Sequence, residues 1–202
     1  MSTSGRPVRV LGIAGSPRRH GNSERLLDAC LAGAREAGAD TDELIVVEEG
    51  IAPCRGCNAC SSTGECVVHD GMREVYPRLD TADAIVVATP VYFATVPAVL
   101  KALYDRCQPY WARRYVLEEP RRPRRPGALL IVGGGGDPFG TGCATTVTRS
   151  VFAVLETDLV SEVTAEADSP SDIGRLPDVL RRAGEVGAEL VAEASRRTGS
   201  GS

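Results

Sequence analysis

Aromatic residues make up only 4% of this 202-residue chain, with one Trp, three Phe and five Tyr. A core must therefore be built from Val, Leu, Ile and Ala, a composition that suits a parallel sheet buried on both faces. Histidine is scarcer still. His20 and His69 are the two present, and no Ser/His/Asp constellation accompanies them, so histidine-based acid–base chemistry has few candidates. Positive charge is not in surplus: 23 Lys and Arg face 27 Asp and Glu, for a net charge of −4. That balance gives no reason to expect nucleic acid or an anionic membrane as the main partner. No apolar run is long enough to span a bilayer, and Met1 to Pro7 lacks the apolar stretch of a signal peptide, which predicts a cytoplasmic location. The Walker A and G-x-G-x-x-G patterns are both missing, which argues against a nucleoside triphosphate or a tightly held dinucleotide.

What is present is an alternation of short apolar runs and amphipathic segments. Val8 to Ala14 reads as a buried strand. A helix capped by Ser23 follows to Ala37, with Leu26, Leu27, Cys30 and Leu31 on one face. Strands are predicted at Leu44–Val47, Ala84–Ala88, Ala128–Val132 and Leu159–Val163. Helices are predicted from an Asp70 cap through Leu79 despite Pro77, and over Pro97–Arg106, Thr141–Leu155 and Leu176–Ala194. Five strands alternating with five helices imply an α/β, flavodoxin-like three-layer sandwich around a parallel sheet of order 2-1-3-4-5. The ligand site then lies beyond the carboxyl ends of the strands. Residues 1–198 read as one domain, with a cysteine-rich insertion at 50–70 and a disordered tail at 199–202.

Three loops fall at that sheet edge. Gly15 to Ser23 joins the first strand to the first helix and is rich in small residues. Ser16 and Ser23 add hydroxyls, Asn22 an amide and Arg18 a fork of charged donors, while the helix N-terminus aims its positive end at the same place. This composition suits a phosphate monoester. Thr89 to Thr95 carries Tyr92 and Phe93, which suit a flat, partly apolar ring. Gly133 to Gly136 is a bare backbone, costly to order unless something must approach it closely.

The cysteines form a fourth feature. Seven is a large number for a reducing compartment, and four fall within the thirteen residues from Cys54 to Cys66. The spacing C-x₂-C-x₂-C-x₅-C, through Cys54, Cys57, Cys60 and Cys66, suits tetrahedral zinc or a [4Fe–4S] cluster. The triplet is closer to the ferredoxin pattern, although the Cys-Pro ending is missing. Free or redox-active thiols are the remaining alternative. Cys30 is expected in the core.

The segments Gly15-Ser16-Pro17-Arg18, Thr89-Pro90-Val91-Tyr92-Phe93 and Leu100 to Arg106 resemble the NADPH-dependent FMN reductase group of flavodoxin-like proteins, over roughly Val8 to Ala194. The resemblance implies that Ser16, Arg18, Asn22 and Ser23 contact the phosphate of FMN. It implies that Pro90, Val91, Tyr92 and Phe93 contact the ring and ribityl chain, and that Gly134 and Gly135 face the ring from the other side. The cysteine segment, with Pro53, Gly56, Gly64 and Asp70-Gly71-Met72, resembles the iron–sulfur flavoprotein branch, which implies a [4Fe–4S] cluster on Cys54, Cys57, Cys60 and Cys66. Gly71 stands where related sequences usually carry a second acidic residue.

The resulting expectation is an FMN-dependent oxidoreductase whose cluster relays electrons to or from the flavin. NAD(P)H or reduced ferredoxin is the expected donor, and a redox partner protein or small molecule the acceptor. One alternative is an NAD(P)H-dependent FMN, quinone or nitro reductase using FMN alone. Another is a non-enzymatic redox carrier or sensor. The resemblance also implies a homo-dimer or homo-tetramer, with Tyr110 and Trp111 as packing or flavin-covering residues. Arg113 to Arg125, with six arginines and two glutamates, reads as an extended, mostly solvated loop, with docking of the NADPH 2′-phosphate or of an acidic electron-transfer partner as a minority reading.

Overall fold

Alternation along the strands divides the chain into two cores on either side of one sheet. In β3 (Ala84–Pro90), Ala84, Val86 and Ala88 face one core, while Ile85 and Val87 face the other. The computed structural model describes residues 6–136, 139–169 and 172–199. Its sheet joins β1 (Arg9–Ala14), β2 (Asp40–Ile45), β3, β4 (Arg125–Gly133) and β5 (Thr157–Glu166) in the order β2-β1-β3-β4-β5, all parallel. This is the predicted flavodoxin-like α/β sandwich.

Helices α1 (Asn22–Glu36) and α7 (Pro177–Gly199) cover the first core. They cross backbone to backbone. A Cβ at Gly33 would overlap the Gly184 carbonyl oxygen, and one at Gly187 would overlap that of Cys30. Cys30 is fully buried there as expected, and burial pushes its thiol up to about 12. On the other face lie α3 (Met72–Thr81), α4 (Ala98–Asp105), α5 (Gln108–Tyr115) and α6 (Gly142–Val154). The remaining short pieces are α2 (Cys60–Thr63) and 3₁₀ turns at Val46–Glu48 and Asp172–Arg175.

Four departures from the sequence reading concern the second strand, the first helix, the arginine-rich segment and the tail. First, β2 begins at Asp40, where the apolar pattern marks only Leu44 onward, because an edge strand pairs through its backbone and tolerates Asp40, Asp42 and Glu43 facing water. Second, α1 begins at Asn22 behind Gly21, so Ser23 sits inside the first turn and is not the cap. Third, the arginine-rich segment is not one extended loop. Pro109 in the first turn starts α5, and Arg113 and Arg114 occupy its last turn, where cations favour the helix dipole. Arg125 opens β4 and donates to the carbonyls of Leu79, Ala82 and Leu155, at the carboxyl ends of α3 and α6. Arg122 pairs with Asp80, and Arg124 pairs with Asp158 and Glu156. These arginines tie down the amino edge of the sheet. Fourth, Gly199 is the last residue of α7, while residues 200–202 of the expected tail lie outside the described residues. Among the described residues, no helix is long and apolar enough to cross a membrane.

Candidate functional site

The phosphate loop leaves β1 at the carboxyl edge of the sheet. Ser16 is buried, and its hydroxyl accepts from the Arg18 backbone N–H at 3.0 Å, folding the loop back on itself. The two neighbouring arginines differ. Arg19 donates to the buried Glu24 at 3.1 and 3.2 Å and also pairs with Glu48. Burial pushes the Glu24 carboxyl up, but the bonds from Arg19 and the His20 N–H prevail and hold it below the ordinary range. Arg18 is exposed and has no ion pair among the described residues. One cation at the N-terminus of α1 is thus neutralised by the fold, while its neighbour has no ion pair among the described residues.

Asn22 is tied into the fold through its amide. Its amide donates to the Ser169 carbonyl at 2.8 Å and accepts from the Ile173 N–H at 3.2 Å. Asn22 therefore pins the loop after β5 over the phosphate loop. Ser23 is buried in the first turn of α1.

The ring loop follows β3. Val91 continues the sheet, donating its N–H to the Val132 carbonyl at 2.8 Å. Tyr92 and Thr95 then pair across a tight turn in which Phe93 and Ala94 both have positive φ, 48° and 66°. Phe93 stands fully exposed at its tip. Across from it, the glycine loop leaves β4. A Cβ at Gly134 would lie 3.2 Å from the Asp168 carboxylate, and Gly135 has φ of +78°. Only glycine suits the second position without strain.

These loops share one cavity of about 420 Å³, within the roughly 300–1,000 Å³ usual for small-molecule sites. Ser16, Arg18, Asn22, Ser23, Pro90, Val91, Tyr92 and Gly134 line it; Phe93 and Gly135 stand outside its lining. Asp168, after β5, also lines it and escaped the sequence reading. No apolar pattern or motif marks that residue; only the β4–β5 pairing brings it beside Gly134.

The cysteine segment leaves the carboxyl end of β2, at the same sheet edge. Its two ends are clasped together. A Cβ at Gly71 would overlap the Glu49 carbonyl oxygen, so a residue with a side chain would force the ends apart. Asp70 caps the following helix from one residue outside it, accepting from the Met72 N–H at 3.1 Å and the Ala52 N–H at 2.9 Å. Cys54, Cys57, Cys60 and Cys66 line a second, smaller cavity of about 60 Å³ with Arg106, Gln108 and Trp111. That space is too small for an organic cofactor. Burial pushes the Cys60 thiol up. Among the described residues, no three Cys, His, Asp or Glu side chains stand at metal-holding distance. The donor set nevertheless fits a thiolate-held metal group: four thiols, one cavity and a buried guanidinium beside them. His69 is not among the lining residues; its Nδ1 lies 2.7 Å from the Arg73 guanidinium.

The sequence profile of the NADPH-dependent FMN reductase family matches residues 8–169. The chain belongs to that family. Its curated relatives include proteins named iron–sulfur flavoprotein. A protein so named from Methanosarcina thermophila is 40% identical over 127 residues, 63% of this chain and 64% of the relative. Another from Archaeoglobus fulgidus is 33% identical over 131 residues, 65% of this chain and 57% of that protein. The chain thus matches somewhat under two thirds of the length of these curated relatives. Among solved structures, the NAD(P)H:quinone oxidoreductase from Methanothermobacter marburgensis superposes with a TM-score of 0.66 at 19% identity, covering 92% of this chain and all of that one. A flavone reductase superposes with a TM-score of 0.66 at 18% identity, over 93% of this chain and 63% of its own. At such identities these family folds support the architecture alone.

Proposed function

We propose that this chain is an FMN-dependent electron-transfer oxidoreductase that also carries a [4Fe–4S] cluster. The observation that carries the reading is the shared cavity: eight residues chosen from sequence for flavin binding line one space at the carboxyl edge of the sheet. In this reading Ser16, Arg18, Ser23 and the N-terminus of α1 hold the phosphate. Asn22 acts at one remove, through its two bonds to the loop after β5. Pro90, Val91 and Tyr92 lie along the ring and ribityl chain, with Gly134 opposite. Phe93 and Gly135 flank the mouth.

FMN supplies transfer of a hydride or of single electrons when bound, and a [4Fe–4S] cluster supplies single-electron transfer. The chain's own part is to hold them at one sheet edge and to set their electrostatic surroundings. Asp168 places a carboxylate in the flavin cavity, and Cys54, Cys57, Cys60 and Cys66 would hold the cluster. NAD(P)H or a reduced ferredoxin would serve as donor. Trp111 and Tyr115, exposed with ring centroids 5.7 Å apart, are the surface we assign to a homo-oligomeric contact. The separated thiols favour a second reading, a reductase using FMN alone with redox-active cysteines.

The test is turnover of purified protein reconstituted with FMN, with NADPH, NADH or reduced ferredoxin as donor and a quinone as acceptor. Turnover that requires FMN supports the proposal. A chain that binds no flavin overturns it.

A further inference from the structure

Arg106 is the largest fully buried side chain among the described residues, with 1% of its surface exposed. A buried guanidinium is costly unless it is paired and hydrogen-bonded. Its partners all flank the cysteines. Nη1 donates to Asp70 at 2.6 Å and to the Ala52 carbonyl at 2.9 Å, and Nη2 donates to Asp70 at 3.0 Å and the Val68 carbonyl at 3.5 Å. Since the Ala52 N–H also donates to Asp70, residues 52, 68 and 70 are drawn together around one ion pair. The Tyr76 hydroxyl fixes the Arg106 backbone, donating to its carbonyl at 2.8 Å.

Two further observations point beyond anchoring. Arg106 lines the cysteine cavity itself, and its Nε is buried with no hydrogen-bond partner among the described residues. A strut needs neither. Four thiolates around an iron–sulfur centre carry net negative charge, and one-electron reduction adds more. Arg55 and Arg73 nearby are exposed, so water and salt screen them. Arg106 acts from a less polar interior, where a charge reaches further.

The geometry points to Arg106 as a positioning residue for the cysteine segment that, together with Asp70, also sets the reduction potential of the group the thiols hold. This rests on the cluster reading above. Arg106 favours the reduced, more negative state, and Asp70 partly cancels that effect. The two residues therefore have opposite signs on the potential although they share one structural network.

The test uses full-length wild type, Arg106→Lys, Arg106→Met and Asp70→Asn, each loaded with FMN and reconstituted anaerobically with iron and sulfide. Iron and sulfide content and the midpoint potential from an EPR-monitored titration are the readouts. Arg106→Lys should keep the potential near wild type. Arg106→Met should lower it by at least a tenfold change in the one-electron equilibrium, about 59 mV, and Asp70→Asn should raise it. Loaded wild type with Met and Asn variants shifted alike, or not at all, overturns this inference alone. Should Arg106→Met hold no iron, Asp70→Asn decides, and an unchanged or lowered potential there overturns the proposal. A wild-type chain that takes up no iron or sulfide overturns the cluster reading and this inference with it.

Discussion

Replacing Arg18 with alanine should discriminate between FMN and riboflavin, which differ only in the phosphate. Arg18 and Arg19 are adjacent, yet Arg19 is consumed by Glu24 and Glu48 while Arg18 has no ion pair among the described residues. A charge-assisted hydrogen bond is worth about 1.5–3 kcal/mol, and the exposure of Arg18 places it toward the lower end, near 2 kcal/mol. That corresponds to a loss of roughly 10- to 30-fold in FMN affinity. The assay is quenching of flavin fluorescence on titration with apo-protein, run with FMN and with riboflavin at several salt concentrations. Arg18→Ala should bind riboflavin as the parent does, bind FMN more weakly, and show a shallower salt dependence for FMN. Equal losses for both flavins, or no loss for FMN, would refute the phosphate assignment. Arg19→Ala provides a contrast. It strands the buried Glu24 carboxylate beside the incoming phosphate, so it should weaken FMN binding and also destabilise the free protein.

Three other outcomes follow from the packing and the charges. Gly187→Ala drives a methyl into the Cys30 carbonyl and should cost about 3 kcal/mol, lowering the melting temperature by roughly 6–12 °C in a calorimetric scan. Ala94→Gly relieves a left-handed backbone at φ 66° and should stabilise the chain by about 0.5–1 kcal/mol in urea titrations. Stability should pass through a maximum on acidification, read as the urea midpoint against pH. Partial desolvation of their carboxyls, joined by neighbouring carboxylates, raises the otherwise exposed Asp28 and Glu43 above their ordinary 3.8 and 4.5, so protonating them as pH falls from neutral first adds stability. Asp70 and Asp158 feel the same upward push from burial, but their arginine partners outweigh it and hold them below 3.8. Their contribution is present above that value and is lost as pH drops through the lowered ones. Asp28→Asn with Glu43→Gln should abolish the rise and keep the fall.

Central strands were legible because their signal is continuous burial. Ala84 to Ala88 and Ala128 to Val132 are apolar on both faces, and the structure puts both in the middle of the sheet. Edge strands were shorter in the sequence than in the structure, since Asp40 to Glu43 pair by backbone and leave no apolar trace. Helix α5 was hidden because its charged residues make ties to partners distant in sequence, Arg113 to the Gly64 carbonyl and Arg114 to Glu156, in place of an apolar stripe. The phosphate, ring and glycine loops could be chosen one by one, but their common cavity depends on strand order. Asn22 shows the limit of composition. Its amide reads as an anion donor, and the sequence gives no sign that its oxygen and one of its two N–H groups also tie it to Ile173 and Ser169, more than a hundred residues away. Gly71 shows the same limit from the other side. Its departure from related sequences has a physical reason only once the Glu49 carbonyl is seen against it.

The decisive question is whether one chain holds both groups. Anaerobic purification followed by analysis of flavin, iron and acid-labile sulfide, with the visible spectrum, measures that directly. The account predicts about one FMN and about four irons with four sulfides per chain, and a brown spectrum bleached by dithionite. A chain that cannot be reconstituted with FMN, or that retains less than about one iron with no labile sulfide, would contradict it.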